Sequence, residues 1–194
     1  MHKIAFSGIP GSGKTSILTE VKKILSLKSR VEDVPDLRLS SPFDFDQKAC
    51  FISQFFFITN QINEENIHSL NQPDYLLCDC SLLDHWVKWK NFLAEKKANS
   101  QMEENRRLLE TLYRFWIDSY ALLFRVRIDA KELEKRIPKS GLRDHEHAHS
   151  GPMDKLYGQI ILADQIHAFD IWNHQSIDES AQEVLKRITD LKLS

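Results

Sequence analysis

Residues 2–25 read HKIAFSGIPGSGKTSILTEVKKIL, and this stretch decides the fold. Its first apolar residues predict a short buried strand, and the apolar residues after the glycines recur at helical spacing. Between them, the residues from Gly8 to Thr15 match the pattern G-x-x-x-x-G-K-[ST] at every fixed position. The stretch therefore predicts a strand, a glycine-rich loop and a helix in the order that a phosphate-binding loop requires.

The chemistry of such a loop follows from its backbone. Glycines let successive N–H groups turn inward to form an anion nest, and the helix that follows points its positive end at the same place. We expect Lys14 to reach the β- and γ-phosphates of ATP and the Thr15 hydroxyl to hold Mg²⁺. The predicted nucleotide-binding residues are Gly8, Pro10, Gly11, Ser12, Gly13, Lys14, Thr15 and Ser16. A glycine-rich turn that binds nothing is the alternative.

The whole chain has the composition of a soluble globular protein. Its 194 residues suit one domain, 1–194, and its hydrophobic fraction is 42%. A net charge of −2 argues against general nucleic-acid binding. No apolar run is long enough to cross a membrane, and no signal peptide is expected. Three cysteines without a disulfide spacing favour reduced thiols and a cytoplasmic location.

Strand and helix patterns alternate along the chain. Strands are expected at 30–34, before Asp79, at 120–128 and at 169–174, and helices at 46–70, 82–98, 102–118, 130–137, 153–170 and from 176 onward. Such alternation predicts a parallel sheet covered on both faces, which is a three-layer α/β/α sandwich.

Two segments after the first helix are candidates for substrate binding. Asp36 and Arg38 follow the end of a predicted strand, where a parallel sheet faces its ligand crevice. Asp36 could accept a hydroxyl proton and Arg38 could bind an anionic group, although a solvated loop ion pair fits equally well. Gln61 could read a base or a ribose from the next helix, or it could simply be exposed.

A metal-side acid and a lid complete the predicted site. Asp79 ends a short apolar strand, where its carboxylate could bind the Mg²⁺ water shell opposite Thr15. Residues 137–152 are polar and contain hinge glycines, so they predict a lid that closes over the transferred group. Arg143 would then stabilise the developing charge, with Arg136 nearby on the substrate side. The alternative for this segment is a charged loop without a role in closure.

These motifs resemble the nucleoside and nucleoside-monophosphate kinase branch of the P-loop NTPases. The chain is also similar to small AAA-type ATP-binding domains related to the ribosylnicotinamide kinase domain. The resemblance implies that Asp36 contacts the phosphate acceptor and could serve as its general base, that Asp79 is the metal-side acid, and that Arg143 contacts the transferred phosphate. Cys80 departs from the family pattern, which has an arginine there.

Two functions remain open from the sequence. The first is an ATP- and Mg²⁺-dependent phosphotransferase whose acceptor is a nucleoside, a nucleotide or a related riboside, with Lys14, Asp36 and Arg143 as catalytic residues. The second is a nucleotide-binding regulatory switch that hydrolyses slowly and acts through a protein partner. The pair Asp36 and Arg38 and the basic lid favour the kinase, whereas the missing arginine at Cys80 slightly favours the switch.

Overall fold

A parallel sheet lies at the centre of the structure, with its strands in the order β2-β3-β1-β4-β5. The computed structural model describes residues 1–40, 42–43, 50–94, 96, 99–140, 150–173 and 176–193, without the side chains of 39–40, 137–140 and 191–193. The strands are β1 (His2–Ser7), β2 (Val31–Val34), β3 (Tyr75–Cys78), β4 (Leu122–Arg127) and β5 (Ala168–Trp172). The helices of these ranges are α1 (Lys14–Leu25), α2 (Phe51–Ser69), α3 (Leu82–Ala94), α4 (Ser100–Ile117), α5 (Ala130–Ser140), α6 (Ser150–Ala163) and α7 (Ile177–Leu193).

Successive residues of a strand point to opposite sides of the sheet, and in the central strands both sets are largely apolar. Both faces of the sheet are therefore largely apolar. In β1, Ala5 packs with the helices α2, α3, α4 and α6, whereas Ile4 and Phe6 pack with α1 and α7. The predicted three-layer α/β/α sandwich with a parallel sheet is therefore confirmed.

Predicted element boundaries differ from the structure mainly at helix ends. The helix expected at 153–170 is α6, which begins at Ser150 and ends at Ala163. Gln165 adopts a left-handed backbone with φ of 54°. The Ile166 N–H then bonds back to the Ile161 carbonyl at 3.0 Å, which closes the helix before β5 begins. The apolar pattern continued through this turn, so it could not show where the helix stops.

A buried carboxylate fastens α2 to the sheet. Glu65 is fully buried, and its carboxylate lies 2.9 Å from the ammonium of Lys3 on β1. It also accepts hydrogen bonds from Trp116 at 2.6 Å and from Tyr120 at 2.7 Å. These donors come from distant parts of the chain and converge on one side chain.

Among the described residues, none of the helices combines the length and the apolar character that crossing a lipid bilayer requires.

We expect Glu65→Ala to lower the free energy of unfolding by about 3–5 kcal/mol, because it leaves the buried Lys3 ammonium without its counter-charge. The neighbouring substitution Glu64→Ala is the matched control, since Glu64 is half-buried and lies 3.9 Å from His68. The control should cost less than about 1 kcal/mol. Urea unfolding measures both values, and equal losses would show that the buried network contributes nothing specific.

Candidate functional site

Three strand ends meet at one edge of the sheet and form the candidate site. Cys78 of β3 pairs with Val34 of β2 on one side and with Ala5 of β1 on the other. Because the strands are parallel, the residues two positions beyond each of these also lie side by side. This register brings Asp36, Cys80 and the start of the glycine-rich loop together at the carboxyl ends of the strands, where ligands bind in open α/β sheets.

The glycine-rich loop has the backbone of an anion nest. Gly8, Gly11 and Gly13 have φ values of 138°, 77° and 96°. Gly13 caps α1 without a side-chain hydrogen bond, and the first turn of α1 contains no acidic residue. The first N–H groups of α1 are thus left for an anionic ligand at the positive end of the helix.

Gly8 is tightly constrained by the backbone of a neighbouring strand. A Cβ atom at Gly8 would lie 2.3 Å from the carbonyl oxygen of Val126 in β4, so no larger residue fits.

The ammonium of Lys14, whose side chain is buried, donates to the carbonyls of Gly8 at 2.8 Å and Ile9 at 3.1 Å. Lys14 is therefore folded back on its own loop in this structure.

Thr15 and Asp79 face each other across the loop. The Thr15 hydroxyl donates to Asp79 Oδ2 at 2.5 Å. Asp79 Oδ1 is buried and has no hydrogen-bond partner in the described part of the chain. Burial raises the pKa of Asp79, although the Thr15 hydroxyl opposes the shift. A hydroxyl and a carboxylate oxygen suit Mg²⁺, which prefers oxygen ligands and keeps several waters.

A cage built only from protein side chains is absent from the described residues: none of their His, Cys, Asp and Glu side chains form a group of three or more that could hold a metal ion. The pair of Thr15 and Asp79 therefore fits a cation shared with a bound phosphate, as in phosphoryl-transfer sites.

Asp84, at the start of α3, holds the first residue of the loop. Its fully buried carboxylate accepts from the Gly8 N–H at 3.1 Å, the Ser81 N–H at 2.8 Å and the Tyr157 hydroxyl at 2.8 Å. Burial disfavours the charge, but Lys14, Arg38 and these donors outweigh it and hold the pKa of Asp84 below its usual value. Asp84 is therefore an ionised, buried partner of the loop.

The far end of the loop is held by the segment after β5. The side-chain amide of Asn173 donates to the Ser12 carbonyl at 2.7 Å. Arg136 on α5 donates to the Asn173 carbonyl at 3.2 Å, and its Nη1 lies 3.2 Å from where a Cβ of Gly13 would stand. Arg136 thus lies beside the phosphate loop.

Asp36 and Arg38 form a bidentate ion pair. Arg38 donates through Nε at 2.7 Å and through Nη2 at 2.5 Å, so both carboxylate oxygens are engaged. Burial opposes the charge of Asp36, but the guanidinium outweighs it and holds the pKa of Asp36 well below its usual range. The pair is largely buried, so the alternative of a solvated loop ion pair is wrong.

His85 and Lys88 extend the same cluster along α3. The His85 ring stacks on Phe57 with centroids 5.6 Å apart, and neither ring nitrogen has a partner among the described residues. Burial lowers the pKa of His85 to about 3 and that of Lys88 to about 7. Lys88 is half-buried, and the charge of Arg38 adds to its shift.

Of two further residues predicted for the site, one is buried in contacts that were not predicted, and the other lies outside the described residues. Gln61 is fully buried, so the alternative of an exposed side chain is wrong. Its amide nitrogen donates to Glu65 at 2.9 Å and lies 3.5 Å from the Cys80 carbonyl oxygen. Arg143 lies in residues 141–149, outside the described residues. The remainder of the predicted lid is helical, because α5 runs to Ser140 and α6 begins at Ser150.

Sequence reasoning missed the residues that support the loop from a distance. Asp84, Tyr157 and Asn173 lie 76 to 161 positions away from the loop residues that they contact. Tyr157 and Asn173 carry no local pattern. Asp84 offered one weak signal, an acidic residue shortly after the acid-bearing end of β3.

Comparison with known proteins gives a clear structural likeness. No family model matches the chain, and no curated protein matches it. A solved structure of deoxyadenosine kinase from M. mycoides with bound dCTP has a TM-score of 0.75 at 18% identity, covering 97% of this chain and 99% of that one. Thymidylate kinases from Candida albicans and Ehrlichia chaffeensis follow, with TM-scores of 0.65 and 0.63 at 17% identity. They cover 98% and 96% of this chain, over 92% and 98% of their own lengths.

The chain therefore shares its fold with the solved deoxyadenosine and thymidylate kinases over almost its whole length.

We expect Gly8→Ala to abolish nucleotide binding, because the added Cβ would collide with the Val126 carbonyl and the positive φ strains any other residue. Gly151→Ala is the matched control: Gly151 lies in the first turn of α6, and nothing lies within 4 Å of its added Cβ. Calorimetric titration with Mg²⁺ and ATP measures the difference. Equal binding by the two variants would contradict the loop geometry.

Proposed function

We propose that this protein is an ATP- and Mg²⁺-dependent kinase that phosphorylates a nucleoside or a nucleotide. The observation that carries the proposal is the juxtaposition of two kinds of site at one sheet edge. The loop with Lys14, Thr15 and Asp79 suits a nucleoside triphosphate. The buried pair of Asp36 and Arg38 follows β2, which is separated from β1 only by β3.

The donor side binds and orients the polyphosphate. The loop amides from Gly13 to Ser16 surround the phosphates, and Lys14 neutralises the β- and γ-phosphates once it leaves its own loop. Thr15 and Asp79 hold Mg²⁺, which supplies charge neutralisation when bound. Arg136 lies beside Gly13, so we assign it to the donor nucleotide rather than to the acceptor.

The acceptor side is built around the ion pair of Asp36 and Arg38. Both oxygens of Asp36 are bonded to Arg38, and the pKa of Asp36 lies well below its usual range. Asp36 is therefore a weak base, and it serves mainly to orient Arg38 and the acceptor. Phosphoryl transfer tolerates this because positioning and charge compensation supply most of the catalysis.

The finer assignments rest on the resemblance. Arg143 stabilises the transferred phosphoryl group from the lid. Gln61, which is assigned from its position on α2 and not from the resemblance, supports the acceptor site through the Cys80 carbonyl. The acceptors named for the structural neighbours, deoxyadenosine and thymidylate, define the substrate class to test first. Ribosides such as the ribosylnicotinamide of the narrower resemblance belong in the same panel. Cys50, Cys78 and Cys80 are free thiols, which supports a cytoplasmic location.

We expect transfer from labelled ATP to at least one member of a panel of nucleosides, monophosphates and ribosides, and Lys14→Ala should abolish it. The reason is that Lys14 is the cation placed to follow charge onto the bridging and terminal phosphates. Label released only to water with every acceptor would support the regulatory switch instead. Undiminished transfer by the Lys14 variant would contradict the proposed chemistry.

We expect Arg38→Ala to raise KM for the acceptor at least about tenfold while changing KM for ATP little, because the guanidinium is held at the acceptor side by Asp36. Arg30→Ala is the control, since Arg30 is exposed and bonds the Gln72 carbonyl. Steady-state kinetics with each substrate varied in turn separates the two constants. A rise in KM for ATP alone would contradict the placement of Arg38 on the acceptor side.

A further inference from the structure

The buried carbonyl of Gly8 has two hydrogen-bond donors within reach. The Lys14 ammonium donates to it at 2.8 Å, and the Tyr157 hydroxyl lies 3.2 Å away. No third donor to this oxygen occurs in the part of the chain that the structure describes. Gly8 is buried, so its carbonyl depends on these two side chains.

Binding of a polyphosphate must remove the shorter of these bonds. Lys14 now donates to the carbonyls of Gly8 and Ile9, and it has to turn away from both to reach a phosphate. Ile9 keeps a donor in that state, because the Ser12 N–H bonds its carbonyl at 3.3 Å. Gly8 would be left with Tyr157 alone. A buried carbonyl without a donor carries an appreciable penalty, which would count against ligand binding.

Tyr157 is placed to prevent that penalty. Its hydroxyl has one proton, which it now donates to Asp84 Oδ1 at 2.8 Å, the shorter of its two contacts. If the proton turns to the Gly8 carbonyl, Asp84 Oδ1 still accepts from the Gly8 N–H at 3.1 Å. No buried group then loses all its partners.

The surroundings of Tyr157 keep it in this position. The side chain is fully buried on α6. Burial and the nearby charge of Asp84 raise the pKa of Tyr157 well above its usual value, so its hydroxyl remains a donor. The exchange turns the hydroxyl proton about the bond between the ring and its oxygen, towards a carbonyl that already lies 3.2 Å away.

We propose that Tyr157 is a positioning residue for the phosphate loop, whose hydroxyl transfers its hydrogen bond from Asp84 to the Gly8 carbonyl when Lys14 moves to a bound polyphosphate. The inference rests on the proposed function, because it requires the loop to bind a nucleotide. It assigns to α6 a direct part in donor binding.

The first test compares Tyr157→Phe with Tyr113→Phe. Tyr113 is the matched control, because it is also fully buried and its hydroxyl bonds a carboxylate, Asp164 Oδ2, at 3.0 Å. Each variant loses one such bond, so urea unfolding should show similar losses of stability. Calorimetry with Mg²⁺ and ATP should show a Kd about tenfold higher for Tyr157→Phe and unchanged for Tyr113→Phe. Values within twofold of each other would overturn the proposal.

The second test asks whether the effect passes through Lys14. In a Lys14→Met background no ammonium leaves the Gly8 carbonyl on binding, so Tyr157 serves that oxygen in both states. Adding Tyr157→Phe to that variant should then change Kd for ATP less than twofold. A tenfold change that persists would assign Tyr157 a role independent of Lys14 and overturn the exchange. Failure of the wild-type protein to bind ATP would refute the proposed function itself. The results for the variants test only the role of Tyr157.

Discussion

The parallel register of three neighbouring strands is the constraint on which the site depends. β3 lies between β1 and β2, so the glycine-rich loop, Asp79 and the pair of Asp36 and Arg38 emerge at one edge of the sheet. A shift of one residue in this pairing would move Asp36 and Asp79 out of line with the loop. The helices that pack on both faces of the sheet fix this register, and they therefore also fix the position of the site.

Buried charges at this edge balance one another without a ligand. Asp84 lowers the cost of burying the Lys14 ammonium, and Asp36 does the same for Arg38. Each cation is therefore held close to the proposed ligand site, where it is bonded to protein atoms. Under the proposed function, ligand binding would exchange these internal bonds for bonds to phosphate, and Tyr157 would accommodate the exchange.

Local patterns in the sequence predicted the fold and the elements that bring Thr15 beside Asp79. The loop from Gly8 to Thr15 and the strand that ends at Asp79 each lie within a few consecutive residues, so their spacing carries the geometry. The supports of the loop could not be predicted, because Tyr157 and Asn173 reach it only after the whole sheet has formed. Gln61 shows the same limit, since only the packing of α2 shows that its side chain is buried.

The most direct test of this account is a calorimetric titration of the wild-type protein with ATP, in the presence and absence of Mg²⁺. The account predicts saturable binding of one nucleotide per chain that becomes tighter with Mg²⁺, because Thr15 and Asp79 lie together beside the loop and supply oxygen ligands. No heat and no saturation under either condition would contradict it.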